Sequence, residues 1–198
     1  MILRILFCLA LLCAPLAAQQ PIIGFESGPA TATGTPANSS HASGTAVGPS
    51  GATINPLLVG TQQSGLFVVP WARIPGASGV VTQVLLTSTG GATVKYVVRI
   101  WSRLPVNTTC VDNTAFAGNF ATDDQYLIAA PFSITPAAPD STAGDANTYG
   151  SSTGLVLGAV PTDPSYVTRN LYVCVVTSAT DTADENKPLR VMISGHQN

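Results

Sequence analysis

The chain is expected to fold as an all-β protein, a single antiparallel sandwich or jelly-roll-like domain preceded by a flexible arm. Three observations predict this. Short runs rich in Val, Thr and Ile recur through residues 66–194, several of them alternating apolar and polar side chains with a period of two. Gly and Pro clusters separate these runs, notably Pro136 to Pro139 and Pro161 to Pro164. No stretch holds three helical turns free of a β-branched run, a Gly or a Pro, so no helix is expected. Many short strands joined by turn-rich connectors point to two stacked sheets.

The elements follow in order. Residues 1–18 read MILRILFCLALLCAPLAA. Arg4, the apolar run Ile5 to Leu12 and the small residues Ala17 and Ala18 have the order of a secretory signal peptide, with cleavage expected after Ala18. The run is shorter than the roughly 20 residues that span a bilayer, so no membrane span is expected in the mature chain. Leu12 precedes Cys13 where a lipoprotein signal needs a small residue, which argues against lipidation. From Ser27 to Thr53, 24 of 27 positions are Gly, Ala, Ser, Thr or Pro. That composition offers too little apolar surface to offset chain entropy, so residues 19–53 read as a flexible arm and 54–198 as the folded domain.

Within the domain, Gly79 to Thr87 and Thr93 to Trp101 flank Thr89-Gly90-Gly91, a pattern that predicts a β-hairpin. Further strands are expected at Leu66 to Arg73, Tyr126 to Ile134, Leu155 to Val160, Asn170 to Thr177 and Leu189 to Ser194. Lys95, Arg99 and Arg103 share a four-residue spacing and read as a solvated charge row on one strand face.

Composition excludes several functions. The chain has 8 Lys+Arg, 10 Asp+Glu and a net charge of −2. Charged residues make up 9% of it, against roughly 25% in an average soluble protein. A nucleic-acid binder would need a basic face to displace counterions, so no nucleic-acid partner is expected. No Walker or dinucleotide glycine motif occurs, and no cofactor is expected.

Candidate chemistry is sparse. Removal of the leader would leave two cysteines, Cys110 and Cys174. An even count in an exported chain favours a disulfide, although two buried thiols would fit the apolar run around Cys174 equally. Gly150-Ser151-Ser152-Thr153-Gly154 matches the nucleophile-elbow pattern, with Asp163 and His196 following in hydrolase order. It reads as a Ser/Thr/Gly loop instead, because no helix follows and His196 lies three residues from the end. Asp123-Asp124 are expected to serve turn chemistry before a strand rather than as paired catalytic carboxylates. Asp112, Asn113, Asp140, Asp145 and Asn147 could offer calcium ligands but lack a loop spacing that gathers them, and zinc is poorly served by His41 and His196. Trp71 and Trp101 are expected in the core rather than as sugar-stacking platforms. Asn38-Ser39-Ser40 and Asn107-Thr108-Thr109 are sequons, relevant only in a glycosylating host.

The middle of the chain carries a more specific pattern. It runs Tyr96-Val97-Val98-Arg99-Ile100-Trp101-Ser102-Arg103-Leu104-Pro105, then Asp112-Asn113-Thr114-Ala115-Phe116, then Asp124 to Ile128, and later Asn170-Leu171-Tyr172-Val173. From about Val80 to Ile193 this resembles a family of small β-sandwich virion proteins of tailed bacteriophages, the Asp-Asn-x-Ala-Phe box being the most specific part. The resemblance implies a non-enzymatic role as a capsid decoration or fibre piece, with other virion proteins and further copies of itself as partners. It implies structural roles for Asp112, Asn113, Ala115 and Phe116: polar side chains fixing a turn above an inserted aromatic. A leader and a disulfide fit a second setting, an exported surface or periplasmic module that binds a glycan or protein. The expected location is the virion under the first reading and the periplasm, cell surface or medium under the second.

Overall fold

The computed structural model describes residues 25–36, 40–49, 64–71, 79–88, 94–137, 148–159, 170–181 and 189–197. These carry eight strands: β1 (Phe25–Gly34), β2 (Phe67–Pro70), β3 (Gly79–Ser88), β4 (Tyr96–Trp101), β5 (Phe132–Ile134), β6 (Thr148–Ala159), β7 (Asn170–Thr177) and β8 (Leu189–Gln197). They form two four-stranded antiparallel sheets, one ordered β1-β8-β3-β6 and the other β2-β7-β4-β5. The protein is therefore an all-β sandwich.

Alternation builds the core between the sheets. On β4, Tyr96, Val98 and Ile100 point inward, and on β7 Leu171, Val173 and Val175 do the same. Val81, Val84 and Leu86 of β3 and Leu189, Val191 and Ile193 of β8 meet them from the opposite sheet. The step from Val81 to Val84 breaks the two-residue period, and the β3–β8 register shifts there, between Val81 and Gln83. A bulge of this kind restores the inward face after an extra residue.

Four expectations are corrected. The hairpin over 79–101 does not form: β3 pairs with β6 and β8, whereas β4 pairs with β5 and β7. Both strands bury one apolar face in the same core, and they do so from opposite sheets. The strand expected over Tyr126 to Ile134 is reduced to β5 and a 3-10 turn at Asp124–Tyr126. Trp101 bridges Leu127 while Val98 faces Phe132, so four intervening residues on one side oppose two on the other. Pro131 lies in this excess and has no N–H to donate to the ladder. Strand β6 begins at Thr148, so residues 150–154 are strand rather than loop.

The fourth correction concerns the arm. Phe25–Gly34 pair with β8 at the edge of the first sheet. Farther on, the Val47 N–H bonds to the Val175 carbonyl (2.9 Å), Thr177 N–H to the Thr45 carbonyl (3.0 Å) and Gly44 N–H to the Thr177 carbonyl (2.7 Å). Residues 44–47 thus continue the edge that β2 begins beside β7. Ala46 and Val47 are fully buried. A Cβ on Gly48 would overlap the Gly65 carbonyl, so the two backbones meet where only glycine fits. Described parts of the segment read as a flexible arm supply a strand to each sheet, because backbone pairing and a few well-placed apolar residues compensate for its composition. The leader, residues 1–18, lies outside the described residues.

Candidate functional site

Strand β7 of the second sheet is buried on both faces, and the site lies on the outer one. Tyr172, Cys174 and Val176 of β7 and Trp101 of β4 point away from the sandwich core into a second apolar cluster with Ala46, Leu66 and Cys110. A loop layer formed by residues 102–128 and 41–48 covers this cluster. Cys110 and Cys174 form a disulfide with Cα atoms 6.2 Å apart, which ties the loop layer to the centre of β7. Both cysteines are fully buried.

The Asp-Asn-x-Ala-Phe box grips the N-terminal segment. The Thr114 N–H closes a turn onto the Val111 carbonyl at 3.0 Å, with Asn113 in the left-handed region at φ 57°. Asparagine tolerates that conformation better than most side chains, which explains its place in the turn. Asn113 N–H then bonds to the Ala46 carbonyl (2.8 Å), Ala46 N–H to the Thr114 carbonyl (2.9 Å) and Phe116 N–H to the Gly44 carbonyl (3.0 Å). Ala115 itself is exposed and bridges Thr45 through its backbone.

The Asp112 carboxylate reaches across to the N-terminal segment. Its Oδ1 accepts from His41 Nε2 at 2.9 Å and from the Gly48 N–H at 3.2 Å. His41, expected in a mobile arm, is fully buried, and its Nδ1 has no hydrogen-bond partner. A carboxylate oxygen can only accept, so the contact places a proton on His41 Nε2. Two backbone bonds with Asp181, 2.8 and 2.9 Å long, anchor the start of the segment. The buried Asp181 carboxylate in turn accepts from the Tyr96 hydroxyl.

Asp123 organises the rest of the layer. It is 2% exposed, and its carboxylate accepts from the Val106 N–H (3.2 Å), the Asn107 N–H (2.8 Å) and the Thr108 hydroxyl (2.8 Å). Asn119 Oδ1 caps the next turn through the N–H groups of Ala121 and Thr122. This tightly bonded tip presents Phe120, 84% exposed, and Val106, 43% exposed, the two large apolar side chains that face solvent among the described residues. Asp123 and Asp124 do not act as a pair. Asp124 begins the 3-10 turn, and its Oδ1 is buried without a hydrogen bond.

The charge row is not uniformly solvated. Lys95 is exposed, but Arg99 is half-buried, its guanidinium 4.1 Å from the centre of the Phe116 ring. Arg103 lies beyond the end of β4, stacks on Tyr126 at 4.8 Å and donates to the Tyr126 hydroxyl at 2.8 Å. The Phe116 ring thus lies against an arginine of a neighbouring strand. Arg99 lines an open groove of about 370 Å³ with Ser43, Gly44, Val97, Phe116, Val176, Thr177 and Ser178. Burial lowers the Arg99 pKa from its usual value, and the charge of Asp124 opposes that shift.

The remaining candidates are dispersed. Ser152 faces Val84 across β3–β6, and His196 faces Val80 across β3–β8. Two strand spacings and four residues of rise separate them by on the order of 16 Å, beyond any nucleophile–base hydrogen bond. Asp163, Asp140, Asp145, Asn147 and Asn38 lie outside the described residues. Among those described, no three His, Cys, Asp or Glu side chains gather as metal ligands. Trp71 is buried in the sandwich core and Trp101 in the outer cluster. No described helix is long and apolar enough to cross a membrane.

Sequence reasoning missed Asp123 as an anchor and His41 as a buried partner, because their contacts lie 15–17 and 71 residues away. A scan against protein-family models, a search of curated proteins and a search of solved structures each found no match. The geometry of the site therefore carries the functional argument.

Proposed function

We propose that the chain is a non-enzymatic structural and interaction protein whose outer loop layer docks onto a partner. One observation carries this reading: a tip fixed by a disulfide and a buried carboxylate displays Phe120 and Val106 to solvent. Water disfavours such a display, and a rigid aromatic at a loop tip is a common anchor in protein interfaces because little entropy is lost on docking. Under the resemblance stated above, the setting is a phage particle, with the chain as a capsid decoration or fibre piece beside other virion proteins or copies of itself. A second reading, an exported surface or periplasmic module, is favoured by the Cys110–Cys174 bridge, since cytosolic reductants keep protein thiols reduced.

The test is an intact mass of the protein from its native source, with and without thiol alkylation, combined with sedimentation of that source. Co-sedimentation with particles and a chain beginning at Met1 supports the virion role. A chain beginning near Gln19 that takes up no alkylating reagent supports the exported module. A free, monomeric chain that turns over an ester and loses that activity in Ser152→Ala would overturn both.

A further inference from the structure

The groove beside β4 gathers side chains from four separate stretches of the chain. The Arg99 guanidinium is half-buried, and Phe116 covers one of its faces. No described carboxylate or carbonyl accepts a hydrogen bond from it. Stacking occupies the face of a guanidinium and leaves its in-plane N–H fork available, the edge that matches a carboxylate through two parallel bonds. A half-desolvated cation with idle donors is stabilised by an anion that fills them.

The rest of the wall specifies what else such a ligand carries. Ser43 Oγ gives its proton to the Ser178 carbonyl (2.9 Å), and Ser178 Oγ gives its proton to the Lys95 carbonyl (2.7 Å). Both hydroxyls of these groove-lining residues have spent their donor, so their oxygens have only acceptor capacity left. Val97 and Val176 supply an apolar floor, and Gly44, with φ 83°, keeps the rim free of a side chain. Exposed Lys95 precedes β4 on the face shared by Val97 and Arg99 and adds a second cation beside Arg99, whose own charge Asp124 partly offsets. The groove is open to solvent, with a volume of about 370 Å³.

We propose that this groove binds a sugar acid, its carboxylate held by Arg99 and its hydroxyl donors by the Ser43 and Ser178 oxygens. A simple carboxylate would use the cation alone, and a neutral sugar the serines alone; a hexuronic acid uses both. The inference rests on reading the chain as an interaction module and holds equally in a particle or at a cell surface.

The experiment titrates the oxidised full-length protein with glucuronate, digalacturonate, acetate, glucose and a glutamate-rich peptide, following backbone amide signals of Val97, Thr177 and Ser178. The uronates are expected to saturate these shifts at concentrations at least tenfold below acetate or glucose. Arg99→Lys keeps a charge and most of the stem but loses the fork, and is expected to weaken uronate binding about tenfold. Arg99→Met should abolish it while the thermal midpoint of the free protein confirms folding. Saturation by acetate as tightly as by glucuronate, or by the glutamate-rich peptide alone, overturns the assignment to a sugar acid. Absence of any carboxylate-induced shift at the groove overturns the site. Sedimentation and intact mass do not depend on uronate binding, so failure here leaves the interaction role standing and is distinguishable from failure of that role.

Discussion

Removing the Cys110–Cys174 bridge measures how firmly the loop layer is tied to the sandwich. Alanine is the replacement of choice in a double variant, because both sites are fully buried and serine would leave two hydroxyls without partners. The bridge joins positions 64 residues apart, so in the chain-entropy model its loss destabilises the fold by about 4 kcal/mol. Removing two sulfurs from the outer cluster adds about 1 kcal/mol for lost packing. For a domain of this length the total corresponds to a fall in thermal midpoint on the order of 12–15 °C. Urea unfolding supplies the free energy, and the slope m should rise because the unfolded chain is no longer cross-linked. Proteolysis supplies the location. Cleavage between Val106 and Thr122 should be slow in the parent protein and fast in the variant, since that stretch is held to β7 through Cys110. A loss of less than about 1 kcal/mol with unchanged proteolysis would refute the reasoning, and the outer cluster would then hold the layer without the bond.

Deleting residues 19–52 should abolish cooperative unfolding and most β-sheet circular dichroism, because it removes β1, His41, Ala46 and Val47; a variant that still melts in a single sharp transition would restore the flexible arm. Asp123→Ala should cost about 3 kcal/mol in urea unfolding, since it strands two N–H groups and one hydroxyl, and Asp123→Asn should cost less because one acceptor oxygen remains. Gly48→Ala should cost about 3 kcal/mol through overlap with the Gly65 carbonyl. Phe120→Ser should change stability by less than about 0.5 kcal/mol, given its exposure, while lowering retention of the chain on purified particles or cells.

The fold class was legible because alternation and punctuation are local properties. Asn170–Thr177 reads as a nearly unbroken apolar run, and such runs belong to strands covered on both faces. Strand β7 is that strand, with Leu171, Val173 and Val175 on the sandwich core and Tyr172, Cys174 and Val176 on the outer cluster. Sheet membership was not legible. Gly79–Ser88 and Tyr96–Trp101 each satisfy a hairpin rule that sees only strand propensity and an intervening Gly-Gly, and nothing local states that they bury their faces from opposite sides. The arm misled for a related reason. A Gly/Ala/Ser/Thr segment has little apolar surface, yet edge pairing depends on backbone groups that every residue except proline carries. Two buried positions, Ala46 and Val47, and a glycine that permits close approach are enough to dock it.

Most of the candidate site was hidden because its parts come from distant stretches of chain. Ser43 and Gly44 enter from the N-terminal segment, Val97 and Arg99 from β4, Phe116 from the loop layer, and Val176 to Ser178 from the end of β7. Each is unremarkable alone. They meet because the box at 112–116 grips residues 44–48, because His41 closes onto Asp112, and because the disulfide holds that box against β7. The groove is therefore the product of the same contacts that seal the outer cluster. A loosened N-terminal segment would withdraw Ser43 and leave Arg99 stacked on a ring that no longer faces a wall. Binding at Arg99 and docking of residues 41–48 are consequently linked: a ligand that engages both Arg99 and Ser43 favours the docked state by its differential affinity, and a variant that weakens the latch weakens the groove without touching it.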